Sequence, residues 1–341
     1  MAQPYEFSYA AELDQVTSRP TTASWLKHLG FLAITFCTAT IAGVVTPFGR
    51  IADFAPLYFP GWNDTALFIS WAPTLYALFV VDIVRSLLTN PALLVEGISF
   101  SVPLLIILIS HEMGHYVACR LYGVEATLPY FTPTPPMIGP AGTFGAFIRI
   151  KSRIPTRRAI FDIGVAGPIA GFIALIPIAV IGVYRMQMMP PSTVIGPDNI
   201  VFADPLFMKF IGLAFGKDVS LGIGNPFYFA AWMGLLVTAL NLIPSGQLDG
   251  GHAIYAAAGA KVHAWTGPIA FVVMAVLSVL GMLIYGSPAG FLIAILLGVM
   301  MRIPHPQPWD DTPLDPKRRV VAFLTLVIFV LCFNPFPIRL T

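Results

Sequence analysis

Two histidines four residues apart enclose a glutamate in the run Ile109-Ser110-His111-Glu112-Met113-Gly114-His115. On a helix, positions i and i+4 project from one face about one turn apart, so both imidazoles can reach one metal ion. A glutamate beside the first histidine is placed to take a proton from a metal-bound water, which is the chemistry of peptide hydrolysis. The run before the motif, Val102-Pro-Leu-Leu-Ile-Ile-Leu-Ile109, is wholly apolar. A water-soluble peptidase has no need of such a lead-in, so the pattern points to hydrolysis within a bilayer.

A catalytic zinc held by two histidines needs at least one more protein ligand and an open position for water. Polar groups at membrane depth are costly and therefore mark sites. One stretch supplies them: Asn241-Leu-Ile-Pro244-Ser-Gly-Gln-Leu-Asp249-Gly250-Gly251-His252, directly after an apolar run. Pro244 and the glycines interrupt a helix there, so the backbone can turn Asp249 toward a neighbouring helix, and a carboxylate oxygen is an acceptable zinc ligand. His252 reads as a neighbour of the site, because a fourth protein ligand would close it. Cys37, Cys119 and Cys332 form no metal or disulfide spacing and read as packing residues.

The elements that must position these groups are membrane helices. Of the 341 residues, 57% are hydrophobic and only 11% charged, and the mean hydropathy is +0.79. Soluble domains carry roughly 25% charged residues, so a water-soluble globule is excluded. Eight apolar segments are expected as spans, near 27–46, 66–84, 96–119, 158–184, 226–243, 264–285, 288–302 and 319–334. No basic patch with interleaved aromatics is present, which argues against a nucleic-acid partner. The first 24 residues are polar and lack the basic cap of a cleavable signal, so the first span is expected to remain as an anchor.

Between the two motifs, Leu128–Ile150 is apolar but full of helix breakers, and proline-rich backbone cannot face lipid. Its end, Thr143-Phe-Gly-Ala-Phe-Ile-Arg-Ile150, reads as a strand. A strand beside a peptidase site is a template for an extended substrate, with Thr143, Phe144, Gly145 and Ala146 as candidate substrate-binding residues. Arg149, Lys151, Arg153, Arg157 and Arg158 follow in the most basic short loop of the chain. By the positive-inside rule that loop faces the cytoplasm. Gly164-Val-Ala-Gly167-Pro-Ile-Ala-Gly171 reads as a small-residue packing face, and Asp162 reads as the partner of Arg158 four residues before it.

The two motifs together, HExxH and NxxPxxxxDG in order on separate apolar segments, resemble the site-2 proteases, a family of intramembrane zinc metalloproteases. The GTFGA and GVAGP segments are similar to that family's middle region, and the likeness covers about 96–260. The resemblance implies His111, His115 and Asp249 as ligands of one Zn2+, Glu112 as general base, and Asn241 as substrate holder or oxyanion donor. It implies an all-α polytopic fold with a small membrane-associated β-strand or re-entrant element after the catalytic helix. The expected division is a polar segment 1–26, accessory spans in 27–92, a catalytic core over 93–260 and accessory spans in 261–341. The expected function is hydrolysis of peptide bonds in transmembrane segments of membrane-protein substrates, single-span and pre-trimmed by another protease. The expected location is a bacterial inner membrane with the site toward the cytoplasm. The alternatives are a membrane metal-ion carrier and an inactive binder of membrane segments.

Overall fold

A computed structural model of the chain describes residues 20–45, 47–49, 65–136, 140–190, 200–302, 308, 310 and 312–340. Most of the expected polar segment 1–26 lies outside these. The described chain is mostly helical with three two-stranded antiparallel ribbons. Five helices are long and apolar enough to cross a membrane: α1 (Thr22–Ala42), Ser70–Thr89 within α2 (Thr65–Thr89), α3 (Pro91–Leu121), α4 (Arg157–Tyr184) and α8 (Ala260–Tyr285). Three of the eight expected spans are shorter. They are α6 (Pro226–Asn241, 16 residues), α9 (Ala289–Met300, 12) and α10 (Pro316–Cys332, 17). At 1.5 Å per residue they reach roughly 24, 18 and 26 Å, less than the ~30 Å hydrocarbon core.

Local chemistry sets the helix ends. Asn90 caps α3 by accepting from the amides of Ala92 and Leu93, with Pro91 as the first residue, where a missing N–H costs nothing. The helix stops at Gly123, whose φ of +65° only glycine adopts freely. At 31 residues α3 is about 46 Å long, so His111 sits roughly 30 Å along it, well inside the helix. Asn225 and Pro226 start α6 in the same way.

The core is the α3–α4–α6 interface, where Leu104, Ile107, Leu175, Trp232 and Leu235 are almost fully buried. Lipid tails are as apolar as leucine, so this assembly depends on close packing rather than on a hydrophobic drive between helices. Glycine supplies the closeness. A Cβ on Gly114 of α3 would lie 2.4 Å from the Ala166 carbonyl oxygen of α4. The small-residue face of α4 does meet the catalytic helix.

A hairpin follows α3. Its strands β1 (Tyr130–Pro133) and β2 (Thr143–Phe147) pair antiparallel. The pairing resumes beyond β2, with Thr127 N–H donating to Arg149 O (3.0 Å) and Lys151 N–H to Glu125 O (2.8 Å). The expected strand therefore exists and extends to Lys151. Thr38 of α1 anchors the hairpin turn through Oγ1 to Gly142 O, 2.7 Å.

At the other end of α4, Asp162 does not pair with Arg158 as expected. Its carboxylate accepts from Arg318 of α10 (Nη2, 2.6 Å) and from the Tyr122 hydroxyl, while Arg318 also bonds Asp315. Arg318 reaches this carboxylate with both Nε (2.9 Å to Oδ1) and Nη2, and the same guanidinium is held in place by Asp315 and the Tyr122 hydroxyl, so the distant arginine is fixed in a bidentate geometry. The Arg318 amide and guanidinium hold the Asp315 carboxyl below the usual carboxylate range. Replacing Arg318 with alanine leaves the part-buried Asp162 with fewer donors, a loss of about 1–3 kcal/mol. The expected result is a lower thermal unfolding midpoint in detergent, with earlier proteolytic release of the 316–340 segment.

Candidate active site

The site is built where α3, α4 and the start of α7 (Asp249–Ala258) converge. After α6 the chain turns sharply through 242–248. Gly246 takes φ +52°, and a Cβ on Gly250 or Gly251 would sit 2.1 Å from Leu242 O or 2.3 Å from Gly246 O. Only glycine lets these backbones touch, and the turn delivers Asp249 into the first turn of α7. His263 of α8 fixes the turn through Nε2 to Gly246 O, 3.1 Å, and Arg157 holds the end of α7 through Nε to Ala256 O, 2.7 Å.

The structure brings all three expected ligands together. His111 Nε2 lies 3.2 Å from His115 Nε2 and 3.2 Å from Asp249 Oδ2, and His115 Nε2 lies 3.3 Å from the same oxygen. The histidines are buried, and among the described residues this is the only group of three or more His, Cys, Asp or Glu poised in this way. The three atoms form a nearly equilateral triangle. Atoms about 2.0–2.1 Å from a common centre and ~3.2 Å from each other subtend about 103°, close to the tetrahedral angle of zinc. Two buried imidazole lone pairs and a carboxylate aimed at one point repel each other, and a cation relieves that. His115 Nδ1 donates to Ile163 O at 2.7 Å, which fixes its tautomer and leaves Nε2 free to ligate. The donor set fits zinc.

The floor of the site is a row of glycines on α4. Gly164 lies under His252 of α7, Gly167 under His115 and Gly171 under His111, where an added Cβ would meet side-chain atoms at 2.8, 2.1 and 3.1 Å respectively. Spacings of three and four residues keep the row on one helix face. It admits both helices that carry the converging side chains at once. The small-residue spacing in the sequence predicts a packing face but not that the row seats His111 and His115.

Glu112 is buried beside the triangle, outside it, with the Ile148 backbone N–H facing its carboxylate. Asn241, the last residue of α6, places Nδ2 3.2 Å from His111 Nε2. All five residues line one open cavity of about 870 Å³. Of the four expected substrate-binding residues, only Ala146 reaches this cavity. Thr143 is turned inward and bonded to Thr132 O and Gly145 O, and Phe144 is exposed. The strand borders the cavity further along, at Ala146–Ile150.

Two contributors are not legible from the sequence, the Ile148 N–H and the Ile163 carbonyl, because both are backbone groups and leave no residue-type signal. His252 lines the cavity but is not among the three converging ligands, as expected.

A helical, apolar fold with an HExxH helix and a carboxylate from a second helix closing a metal triangle defines the membrane-embedded metallopeptidase class. The model of peptidase family M50 matches residues 99–285. The chain belongs to that family, the site-2 proteases. It is 30% identical over 261 residues to the probable zinc metalloprotease EGY2, chloroplastic, of Arabidopsis thaliana, covering 74% of this chain and 44% of that protein. It is 28% identical over 236 residues to EGY1 of the same plant, named likewise, covering 67% and 41%. The chain thus spans less than half the length of these relatives. Their chloroplastic names lend no support to a bacterial inner membrane.

Proposed function

We propose that this chain is an intramembrane zinc metalloprotease that hydrolyses peptide bonds in transmembrane segments of membrane proteins. The observation that carries the reading is the triangle of His111, His115 and Asp249 with Glu112 beside it, both histidines and the glutamate lying on a helix long and apolar enough to span. One zinc ion held by the three ligands would supply Lewis acidity and lower the pKa of water at the open position toward about 7. Glu112 takes the proton of the attacking water and returns it to the leaving nitrogen. The Ile148 N–H aims the carboxylate toward the cavity. Asn241, at the rim of the triangle, donates its amide to the oxygen that becomes negative.

A transmembrane helix hides its carbonyls in its own hydrogen bonds, so a substrate must unwind locally. The strand from Thr143 to Ile150 receives the unwound segment by backbone pairing. Single-span proteins, pre-trimmed by another protease, are the proposed substrates. The eight apolar segments form the membrane domain, with the basic loop at 149–158 and the cavity toward the cytoplasmic side.

The test is a quantitative membrane proteome of cells carrying the wild-type chain against Glu112→Gln. Membrane-anchored fragments or single-span proteins that accumulate only with the variant support proteolysis and name the substrates. An identical proteome under several stresses, with metal retained in both proteins, overturns it. Asn241→Ala is expected to lower kcat by about 10²-fold with little change in metal content, measured by turnover of a transmembrane reporter and elemental analysis.

A further inference from the structure

The strand that borders the catalytic cavity carries a row of cations. From Phe147 to Ile154 exposure alternates, and Arg149, Lys151 and Arg153 all fall on exposed positions. All three line the same cavity as Glu112 and the metal ligands. The hydrogen bonds fix which backbone edge is used. Arg149 O and Lys151 N–H face the 125–127 segment, and Ala126 bridges Ile150 with its own polar groups directed outward. Ile148 and Ile150 therefore turn their N–H and C=O groups to the opposite, free edge, the side on which Glu112 lines the cavity with Ile148.

The paired edge shows what the row does with a neighbouring strand. Glu125 sits opposite Lys151, and its Oε1 lies 3.0 Å from Lys151 Nζ. Directly opposed residues on adjacent strands share a face with Cβ atoms about 4.5–5.5 Å apart. Opposite Arg149 on that edge stands Thr127, which is uncharged. The described residues give neither the Arg149 nor the Arg153 side chain a carboxylate partner within 4 Å. The cationic row is thus neutralised on one edge at one position and open on the other.

We propose that this row reads an acidic flank of the substrate, with carboxylates at alternate positions on the segment that leaves the metal centre along residues 149–153. The proposal rests on strand pairing by the substrate under the proteolytic reading. A strand added to the free edge places every second side chain on the face of Arg149, Lys151 and Arg153, so Glu-x-Glu-x-Glu meets the row and the same acids moved by one residue do not. Anionic lipid is the competing occupant. The cavity-lining position of all three cations, and the precedent of Glu125, favour a peptide.

The experiment uses the full chain in nanodiscs of zwitterionic lipid, with single-span substrates that differ only in this flank. Binding is read on the Glu112→Gln chain and cleavage on the wild type. The Glu-x-Glu-x-Glu substrate is expected to bind and turn over about tenfold better than its Gln counterpart, with the gain shrinking as salt rises. Moving the acids by one residue should abolish the gain. Arg149→Glu with Lys151→Glu and Arg153→Glu should transfer the preference to a Lys-x-Lys-x-Lys flank. Equal binding of all flanks overturns the proposal, even when every substrate is cleaved. A preference indifferent to the one-residue shift also overturns it, as does one that follows anionic lipid content instead of the flank. A binding preference without any cleavage supports the row and overturns the proteolytic reading, so the two fail separately.

Discussion

Purified Glu112→Gln protein is expected to hold as much zinc as the wild type and to cleave a transmembrane substrate about 10²- to 10⁴-fold more slowly, the usual loss when a general base is removed. The geometry separates the two effects. Glu112 stands beside the triangle whose corners are His111 Nε2, His115 Nε2 and Asp249 Oδ2. Glutamine keeps the shape of the side chain and can still face the Ile148 amide through its carbonyl oxygen, so the cavity keeps its form. What it loses is the ability to take a proton.

Asp249→Asn makes the contrast. It replaces a charged ligand by a neutral one at the corner shared by both histidines, and metal content should fall together with activity. Elemental analysis and reporter cleavage on the same preparations read both quantities. A Glu112→Gln protein that cleaves at the wild-type rate would remove the general base from the mechanism. One that loses its metal would place Glu112 among the ligands instead.

The separation between base and ligands also explains how much was legible in the chain. Side-chain chemistry is spelled in residue types, so His111, Glu112, His115, Asn241 and Asp249 could be named before any coordinates. The i, i+4 spacing fixes a shared helix face, and Pro244 with its following glycines announces a turn. Long-range pairing is not written that way. Asp162 has a plausible local partner in Arg158, yet Arg318, 156 residues away in sequence, holds it. The apolar segments at 226–243 and 288–302 end as helices two and three residues short of the expected span, because hydropathy counts apolar residues and does not see where a helix stops. The strand after α3 was legible from its β-branched and aromatic residues. Which part of it borders the cavity depends on register, and register is fixed by Thr127 and Glu125 across the ladder.

Gly167→Ala is expected to fold normally and to lose metal affinity by at least about 10- to 100-fold, the scale seen when the support of a ligating histidine is disturbed. A Cβ at this position would lie 2.1 Å from His115 Nε2, 2.4 Å from Cδ2 and 2.5 Å from Cε1. No imidazole can remain there. The clash is with the far end of a side chain rather than with backbone, so the helices need not separate. The ring swings aside instead, and stability changes little. Swinging breaks the Nδ1 bond to Ile163 O and moves Nε2 away from Asp249 and His111, so the triangle loses a corner.

Gly114→Ala is the control, because its Cβ would meet the Ala166 backbone at 2.4 Å and must push α3 from α4. It should lower the unfolding midpoint and disturb the metal together. Thermal unfolding of each variant in detergent, paired with a zinc competition assay, separates the two cases. If Gly167→Ala binds zinc as tightly as the wild type, His115 does not ligate from the slot between Ile163 and Gly167. If it unfolds as readily as Gly114→Ala, the row is only a packing device. A stable protein that has lost its metal means that one hydrogen atom at Gly167, in place of a methyl group, decides whether this membrane fold can hold a catalytic ion.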